Sequence, residues 1–259
     1  MTLSIVILTL NSEKIILNCL NAIEPSCPNY DYEIIIVDNG SNDSTLTLIE
    51  SNYPECKLLK NKSNLGVAKA RNIGIQEAEG NFLLILDDDV VMHPLSLDKL
   101  IRRISHDSTI GMIAPQLLNP DDTIQYNGLP FPSILVKTRR IISKLLGKSI
   151  NNPYSDFINK KEPYEPDYLI GAVQLIRKEL FDKVGLLDET IFYGPEDADL
   201  CVRIHQAHYR VICIPSINMT HNYQRRSYKL KQLPLLIKHL QSLIYFWFKH
   251  PGLRKTSSK

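Results

Sequence analysis

The chain has 259 residues, of which 44% are hydrophobic and 22% charged, and its formal net charge is +2. These values are ordinary for a globular protein with one large domain, and so small a net charge gives no argument for nucleic acid as a partner. The sequence also lacks an uninterrupted run of about 18 apolar residues, which a membrane-spanning helix needs.

The cysteines are scattered, odd in number and form no CxxC pair; they are Cys19, Cys27, Cys56, Cys201 and Cys213. This usage favours a reducing, cytoplasmic compartment over a disulfide framework or a zinc site. The apolar stretch Leu3–Leu10 has no basic leader and no small-residue cleavage site. It therefore predicts a first strand rather than a signal peptide.

The first half of the chain alternates short apolar runs with helical patterns. We predict strands at Leu3–Leu8, Glu33–Val37, Lys57–Lys60 and Phe82–Leu86, and helices at Glu13–Ile23 with Ser12 as N-cap, at 44–51 and at Val67–Ala78. Successive strand-then-helix units indicate a mostly parallel sheet with right-handed crossovers. The sequence therefore predicts an α/β fold in which residues 1–114 form a nucleotide-binding half.

Three consecutive carboxylates, Asp87, Asp88 and Asp89, follow the apolar run Phe82–Leu86. Ligands of open α/β sheets bind at the carboxyl ends of the strands, so these acids lie where chemistry is expected. In an extended backbone, Asp87 and Asp89 share one side and Asp88 points away. Two converging carboxylates repel unless a cation lies between them, and a divalent ion completed by phosphate oxygens satisfies both. A solvated acidic turn is the alternative interpretation of the three acids alone.

The second half is less regular. Many prolines and little periodicity between Pro115 and Asp167 predict long loops with one basic helical piece, Ile134–Leu146. A solvated helix face is favoured for that piece over a patch for phosphate or membrane headgroups. Beyond it we predict an ordered segment at Tyr168–Ile176, helices at Lys178–Val184 and Glu196–Ala207, and a last strand at Val211–Ile214.

The stretch from Leu233 to Phe248 predicts an apolar-rich helix, and a basic end follows it. Packing against the rest of the domain is one interpretation of this helix. Contact with a membrane surface, where aromatic and basic residues are favoured, is the other. We therefore divide the chain into a domain of residues 1–225, whose second half is 115–225, and a helical tail of residues 226–259.

Asp38 and Arg71 are candidate ligand-binding residues in the first half. Asp38 ends the second predicted strand, at the same sheet edge as Asp87, where a carboxylate can accept hydrogen bonds from a base or a ribose. Capping of the next helix is the alternative role. Arg71 lies in the first turns of the helix after Gly66 and can pair with a diphosphate, although a surface arginine is the alternative.

Glu196, Asp197 and His221 are candidates in the second half. The two acids follow an apolar, aromatic stretch at Ile191–Tyr193. A partly desolvated carboxylate has a raised pKa and becomes a better base near neutral pH, although acids in a first helical turn are also favoured by the helix dipole. A lone histidine is usually structural; as a metal ligand, His221 would favour Mn²⁺ over Mg²⁺. A P-loop and a GxGxxG motif are absent, which argues against P-loop NTPases and dinucleotide dehydrogenases.

Five segments occur in order and at suitable spacings: SIVILTLN, IIIVDNGSND, NLGVAKARNIG, LLILDDDV and GLLDETIFYGPEDADLCVRI. Through them, residues 2 to about 225 resemble the family 2 inverting glycosyltransferases with the GT-A fold. Within that family the chain is most similar to the bacterial branch that contains rhamnosyltransferases of cell-surface polysaccharide synthesis. The resemblance implies that a nucleotide sugar is held by Thr9, Asn11, Asp38, Asn64, Gly66, Arg71, Asp87 and Asp88. It also implies a metal site of Asp87, Asp89 and His221, and a catalytic base, Asp197, paired with Glu196.

The resemblance further implies an activity. A cytoplasmic enzyme would use Mn²⁺ or Mg²⁺ to transfer a sugar, with inversion, from a nucleoside diphosphate sugar such as dTDP-rhamnose or a UDP-sugar. The acceptor would be a saccharide or a lipid-linked saccharide, and the enzyme would touch the inner membrane peripherally. Two other classes stay open: a nucleotidyltransferase, although no glycine-rich basic triphosphate loop lies near the N-terminus, and a non-catalytic scaffold subunit that binds nucleotide sugars.

Overall fold

A computed structural model of the protein describes residues 2–132, 160–222 and 233–254. The strands are β1 Leu3–Thr9, β2 Tyr32–Asp38, β3 Lys57–Lys60, β4 Phe82–Asp87, β5 Val90–Met92, β6 Ile110–Leu118, β7 Ile124–Gln125, β8 Gly128–Leu129, β9 Tyr168–Leu169, β10 Val173–Arg177 and β11 Arg210–His221. The helices are α1 Ile16–Asn21, α2 Ile23–Ser26, α3 Thr45–Asn52, α4 Val67–Gln76, α5 Ser96–His106, α6 Leu180–Val184, α7 Glu196–Gln206 and α8 Leu233–Lys249. A short 3₁₀ turn follows at Pro251–Arg254.

The central sheet has the strand order β3-β2-β1-β4-β10-β6-β11-β5, and β7 pairs with the edge of β6. The first four strands along this order run parallel, as predicted. Strand β10 is antiparallel to both of its neighbours, β4 and β6. The parallel register pairs Thr9 with Asp38 and Leu8 with Asp87, so the carboxyl ends of β1, β2 and β4 meet at one edge.

Both faces of the sheet are covered by helices, which is why its central strands are apolar along their length. Along β1, Ile5 and Ile7 belong to the core shared with α1 and α5, whereas Val6 belongs to the core shared with α4 and α7. Gly74 of α4 packs directly on Val6, where a side chain at position 74 would collide. This close packing brings α4, and with it Arg71, against the sheet.

The predicted first helix and its cap are wrong in detail. Helix α1 begins at Ile16 rather than Glu13, and no side-chain hydrogen bond caps it. The Ser12 hydroxyl instead donates to the carboxylate of Asp88. A long-range hydrogen bond to a partly buried carboxylate therefore replaces the local cap that the sequence favours.

Pro115 does not end the ordered part of the chain as predicted. Strand β6 runs through it to Leu118, and the preceding helix α5 was not predicted. Pro115 pairs with Ile214 at the point where β11 shifts register, and a bulge tolerates a residue that has no N–H to donate. Strand β11 then continues to His221, well past the predicted end at Ile214. The basic piece predicted at Ile134–Leu146 lies outside the described residues.

The predicted C-terminal helix is confirmed as α8. Its Leu243 and Phe246 are buried, and Phe246 packs with Ala198 and Val202 of α7. The helix therefore packs on the domain through one face, in agreement with the first of the two interpretations. Among the described residues, none of the helices has the length and apolarity needed to cross a bilayer.

Candidate active site

The side chains of Asp87, Asp89 and His221 meet at the edge of the sheet. One ligand atom from each lies within 4.8 Å of the others. Asp87 ends β4, and the antiparallel pairing of β5 with β11 places His221 opposite Val90, next to Asp89. Asp88 turns away to Ser12 as predicted, although Asp88 and Asp89 form the turn between β4 and β5 and are not part of an extended strand.

Two carboxylate oxygens and an imidazole nitrogen are donors that Mn²⁺ accepts well, and their partly buried position suits an ion. In the structure each acid has a basic partner: Arg71 Nη2 lies 2.5 Å from Asp87 Oδ1, and His221 Nε2 lies 3.1 Å from Asp89 Oδ1. Although burial opposes it, pairing with Asp89 raises the pKa of His221. A metal ligand must be the neutral imidazole, so protons and the metal compete for this group.

Arg71 connects the metal group to the acids of α7. Its buried guanidinium lies 3.5 Å from Glu196 Oε1 and donates a 2.7 Å hydrogen bond to the carbonyl of Gly171. A side chain at position 171 would collide with the guanidinium. The segment predicted as continuous at Tyr168–Ile176 is broken at residues 170–172 into β9 and β10, and this break admits Arg71. The sequence suggested a diphosphate partner for Arg71; the structure places its guanidinium between Asp87 and Glu196.

Asp197 lies in the first turn of α7, beside the same segment between β9 and β10. Its carboxylate accepts hydrogen bonds from the N–H of Gly171, at 3.1 Å, and from the N–H of Ala198, at 2.7 Å. Burial and the neighbouring charge of Glu196 raise the pKa of Asp197 to about 7, against the effect of these hydrogen bonds. A carboxylate that titrates near neutral pH has the property of a general base.

The residues suggested for nucleotide binding lie on the loops that follow β1, β2 and β3, and they brace these loops against one another. Asp38, which is buried, accepts hydrogen bonds from the N–H groups of Gly40 and Ser41, each at 3.1 Å to Oδ2. Asn11 Oδ1 accepts from the N–H of Asn42 at 2.8 Å. The Asp38 carboxylate therefore stabilises its own turn, and the turn stands beside Asn11.

Asn64 and Gly66 belong to the loop that leads into α4. Asn64 Oδ1 accepts hydrogen bonds from the Gly66 N–H, at 2.9 Å, and from the Asn39 amide, at 3.1 Å. Gly66 has a positive φ of 88° and lies against Phe192, so a side chain there would be both strained and obstructed. Thr9 is buried at the end of β1. The Asn11–Asn42 and Asn39–Asn64 hydrogen bonds therefore join these loops into one loop surface at the carboxyl edge, beneath which Thr9 and Asp38 are almost fully buried.

A cavity of about 870 Å³ joins the metal group to the acids of α7. Asp87 and His221 line one part of it, and Glu196 and Asp197 line another. Helix α8 closes a further side through His239 and Leu243. The C-terminal helix is thus part of the cavity wall, which its sequence did not indicate.

Asp199 fastens α8 to α7. This fully buried carboxylate lies 2.8 Å from Lys249 Nζ, 2.7 Å from His250 Nε2 and 2.9 Å from Arg203 Nη2. Lys249 also lies 2.6 Å from Asp188. In sequence, Asp199 has the pattern of an acid in a first helical turn, but its partners show that it anchors a distant helix.

Sequence reasoning missed several residues of the site. Gly171 had a usable signal, because an isolated glycine inside an apolar strand pattern marks a bulge or a close backbone approach. Gln125 and His239 had none, because neither belongs to a local motif. They reach the cavity only through the strand order and the packing of α8.

Comparisons with known proteins identify the family of this chain. The family model for glycosyl transferase family 2 matches residues 4–185. The N-acetylglucosaminyl-diphospho-decaprenol L-rhamnosyltransferase of Mycobacterium tuberculosis (strain ATCC 25618 / H37Rv) is 27% identical over 236 residues, which cover 85% of this chain and 76% of that protein. The poly(ribitol-phosphate) beta-N-acetylglucosaminyltransferase TarS of Staphylococcus aureus (strain MW2) is 36% identical over 206 residues, which cover 74% of this chain and 35% of TarS.

Solved structures share the fold. GalNAc-T7 with UDP, GalNAc and Mn²⁺ matches 99% of this chain with a TM-score of 0.68 at 21% identity, and this chain spans 51% of that one. The mannosyltransferase PcManGT from Pyrobaculum calidifontis, in complex with GDP-Man and Mn²⁺, matches 99% of this chain with a TM-score of 0.63 at 18% identity. This chain spans 65% of PcManGT. The predicted GT-A fold is confirmed. The family model covers well over half of the residues of this chain, and the chain therefore belongs to glycosyl transferase family 2.

Proposed function

We propose that this family 2 glycosyltransferase is metal-dependent and inverting, and that it transfers a sugar from a nucleoside diphosphate sugar to an acceptor hydroxyl. One observation carries the proposal: a group suited to a divalent ion and a carboxylate with a pKa of about 7 line the same cavity. Glycosyl transfer from such a donor needs both, because the leaving diphosphate gains negative charge while the acceptor hydroxyl loses a proton.

Asp87, Asp89 and His221 would hold the ion, Mn²⁺ or Mg²⁺. When bound, the ion would act as a Lewis acid that neutralises charge on the leaving diphosphate. Manganese is favoured by the imidazole donor, and two of the structural neighbours carry Mn²⁺. Arg71, whose guanidinium is buried, keeps the partly exposed Asp87 in place through an ion pair, so the carboxylate is oriented before any ligand arrives.

Asp197 would be the catalytic base. Its carboxylate takes the proton from the acceptor hydroxyl on the face of the sugar opposite the leaving group, and displacement from that face inverts the anomeric carbon. The N–H groups of Gly171 and Ala198 hold the carboxylate in one orientation. Glu196 contributes by raising the pKa of Asp197, and Arg71 keeps Glu196 paired.

The donor nucleotide would lie on the loop surface at the carboxyl edge of β1–β3, in contact with Thr9, Asn11, Asp38, Asn64 and Gly66. Asp88 and Arg71 would border it on the side of the metal group. Support comes from the position of these residues next to Asp87, and from the general binding of ligands at this edge of α/β sheets.

The donor would be dTDP-rhamnose or a UDP-sugar, and the acceptor a saccharide or a lipid-linked saccharide of a cell-surface polysaccharide. This choice rests on the rhamnosyltransferase of M. tuberculosis, whose name gives a decaprenol-linked substrate, and on TarS. A panel of nucleotide sugars, each incubated with Mn²⁺ and candidate acceptors, tests it. We expect release of nucleoside diphosphate with one donor.

The identity of the products separates the alternatives. A nucleotidyltransferase would release inorganic diphosphate from a nucleoside triphosphate and a sugar phosphate, which would overturn the proposal. A scaffold subunit would bind one nucleotide sugar of the panel and release nothing from any of them, with or without acceptor. The ionisable groups Asp87, Asp89 and Asp197 make a purely binding role unexpected.

We further propose that the enzyme works at the cytoplasmic face of a membrane and touches it through α8. One face of this helix carries apolar side chains that are between 44% and 71% exposed; they are Leu236, Ile237, Leu240, Ile244 and Phe248. No acidic residue follows Asp199 in the sequence, whereas nine lysines and arginines follow His221. An apolar helix face combined with basic residues suits an anionic bilayer surface.

Sedimentation with lipid vesicles tests the membrane contact. The protein should sediment with phosphatidylglycerol vesicles, less so in high salt, and not with phosphatidylcholine vesicles. The triple variant Ile237→Ser, Leu240→Ser and Ile244→Ser should lose this binding, whereas Gln241→Ser, which changes another exposed position of α8, should keep it. Failure of the unaltered protein to sediment with anionic vesicles would refute the contact.

A further inference from the structure

Both ring nitrogens of His221 have partners. Nε2 lies 3.1 Å from Asp89 Oδ1, and Nδ1 lies 2.6 Å from the side-chain oxygen of Gln125. The first contact belongs to the metal group described above. The second comes from the hairpin between β6 and β7, to which the sequence assigned no role.

The hydrogen bonds of this hairpin have a fixed direction. The Thr123 hydroxyl donates to Asp121 Oδ1, at 2.5 Å, because a carboxylate can only accept. The same hydroxyl oxygen therefore accepts from the amide of Asn119, at 2.9 Å. This leaves Asn119 Oδ1 as the acceptor for the Gln125 amide nitrogen, at 3.2 Å.

The order of donors and acceptors in the hairpin also decides which atom donates between Gln125 and His221. With its amide nitrogen turned toward Asn119, Gln125 presents its carbonyl oxygen to His221. A carbonyl oxygen only accepts, so His221 Nδ1 must be the donor. In the neutral imidazole, Nε2 is then the nitrogen with the lone pair, and Nε2 is the atom beside Asp89.

Strand pairing places the hairpin beside the metal group. Strand β7 pairs with β6 so that Gln125 is opposite Leu117, and β6 pairs with β11 so that Leu117 is opposite Met219. The side chain of Gln116 also donates a 2.6 Å hydrogen bond to the backbone carbonyl of Gln125. Gln125 and His221 are therefore placed by the same sheet.

We propose that Gln125 is a positioning residue of the metal centre, which fixes His221 in the tautomer and ring orientation that present Nε2 beside Asp87 and Asp89. This inference rests on the metal site of the proposed function. Metal-binding histidines generally donate their other N–H to such an outer partner, whose loss costs about 10- to 100-fold in metal affinity. Asn119, Thr123 and Asp121 set the orientation of Gln125 in turn.

Mn²⁺ titration of the metal-free protein, followed by electron paramagnetic resonance, tests the inference without any assay of activity. Gln125→Met keeps the side-chain length but removes the acceptor, and should weaken Mn²⁺ binding about 10- to 100-fold. Gln125→Glu restores an acceptor for Nδ1–H and should bind Mn²⁺ at least as well as the unaltered protein. Gln206→Met, the same exchange at an exposed position of α7, should change nothing.

A second measurement separates positioning from general loss of structure. With ¹⁵N-labelled histidine, pulsed electron paramagnetic resonance should detect an imidazole nitrogen on the bound Mn²⁺ in the unaltered protein and in Gln125→Glu. The coupling should be lost or reduced in Gln125→Met, at saturating Mn²⁺ and with an unchanged circular dichroism spectrum.

The outcomes are distinct. Equal Mn²⁺ affinity and equal imidazole coupling in Gln125→Met and the unaltered protein would overturn the role of Gln125 alone. Absence of imidazole coupling in the unaltered protein would overturn both this role and the assignment of His221 to the metal in the proposed function.

Discussion

Replacement of Asp197 by asparagine should lower the rate of sugar transfer by about 10²- to 10⁴-fold, the usual contribution of a general base. The asparagine side chain has the same size, and its oxygen can still accept one of the two backbone hydrogen bonds, that from the Gly171 N–H, while the one from the Ala198 N–H is lost. The amide cannot take up a proton, and only the chemical step should suffer. Steady-state transfer kinetics measure the loss, and calorimetry should show unchanged binding of Mn²⁺ and nucleotide sugar.

The pH profile gives this prediction a second readout. The ionised carboxylate is the active form, so kcat/KM of the unaltered enzyme should rise with pH and level off above about 7, the pKa of Asp197. The residual rate of Asp197→Asn should lack this rise. Because the pKa of Asp197 is raised from 3.8 to about 7 on folding, the free energy of unfolding should fall as pH rises from about 4 to about 7, and this fall should be absent in Asp197→Asn.

The rate of Asp197→Asn is compared with that of a matched control variant. Asp182→Asn makes the same exchange at an exposed position of α6 and should leave the rate unchanged. Transfer by Asp197→Asn at the rate of the unaltered enzyme would show that the base is another group.

Replacement of Asp89 by alanine should abolish the metal dependence of nucleotide-sugar binding. The change removes one of the three side chains that meet within 4.8 Å, and it also removes the carboxylate that holds His221 Nε2. Two ligand positions are therefore disturbed at once, and we expect Mn²⁺ affinity to fall by more than the ~10- to 100-fold that loss of an outer partner alone produces.

Calorimetric titration of nucleotide sugar with and without Mn²⁺ measures this effect. In the unaltered protein the ion should tighten binding, and in Asp89→Ala the two titrations should coincide. Asp31→Ala, at an exposed position before β2, serves as the matched control. Mn²⁺-tightened binding that survives in Asp89→Ala would remove Asp89 from the metal site.

Arg71 joins the metal group to the acids of α7. Its guanidinium contacts Asp87 of the metal group and Glu196, next to the proposed base, and it is almost completely buried. A buried charge is retained only with close partners, and here the partners are the acids on both sides. The arginine thus keeps the two chemical groups at a fixed separation across the cavity.

The sequence by itself determined the parallel part of the sheet and the position of the three aspartates. Apolar runs such as Phe82–Leu86 predict buried strands because burial on both faces requires them. The divergence of Asp88 from Asp87 and Asp89 was also predicted, but the turn between β4 and β5 produces it, and not the alternation of an extended strand. The family resemblance was carried by these same local segments, and it is confirmed.

Only the tertiary structure decided how the remaining groups meet. Gly171 lies 100 residues from Arg71, and Gln125 lies 96 residues from His221. Their contacts depend on the insertion of the antiparallel β10 between β4 and β6, and on the pairing of β6 with β7 and β11. The bonds from Asp199 to Lys249 and His250 likewise depend on how α8 packs on α7. A local pattern records what one segment forms, whereas a hydrogen bond between distant segments depends on strand order and packing, which no single segment contains.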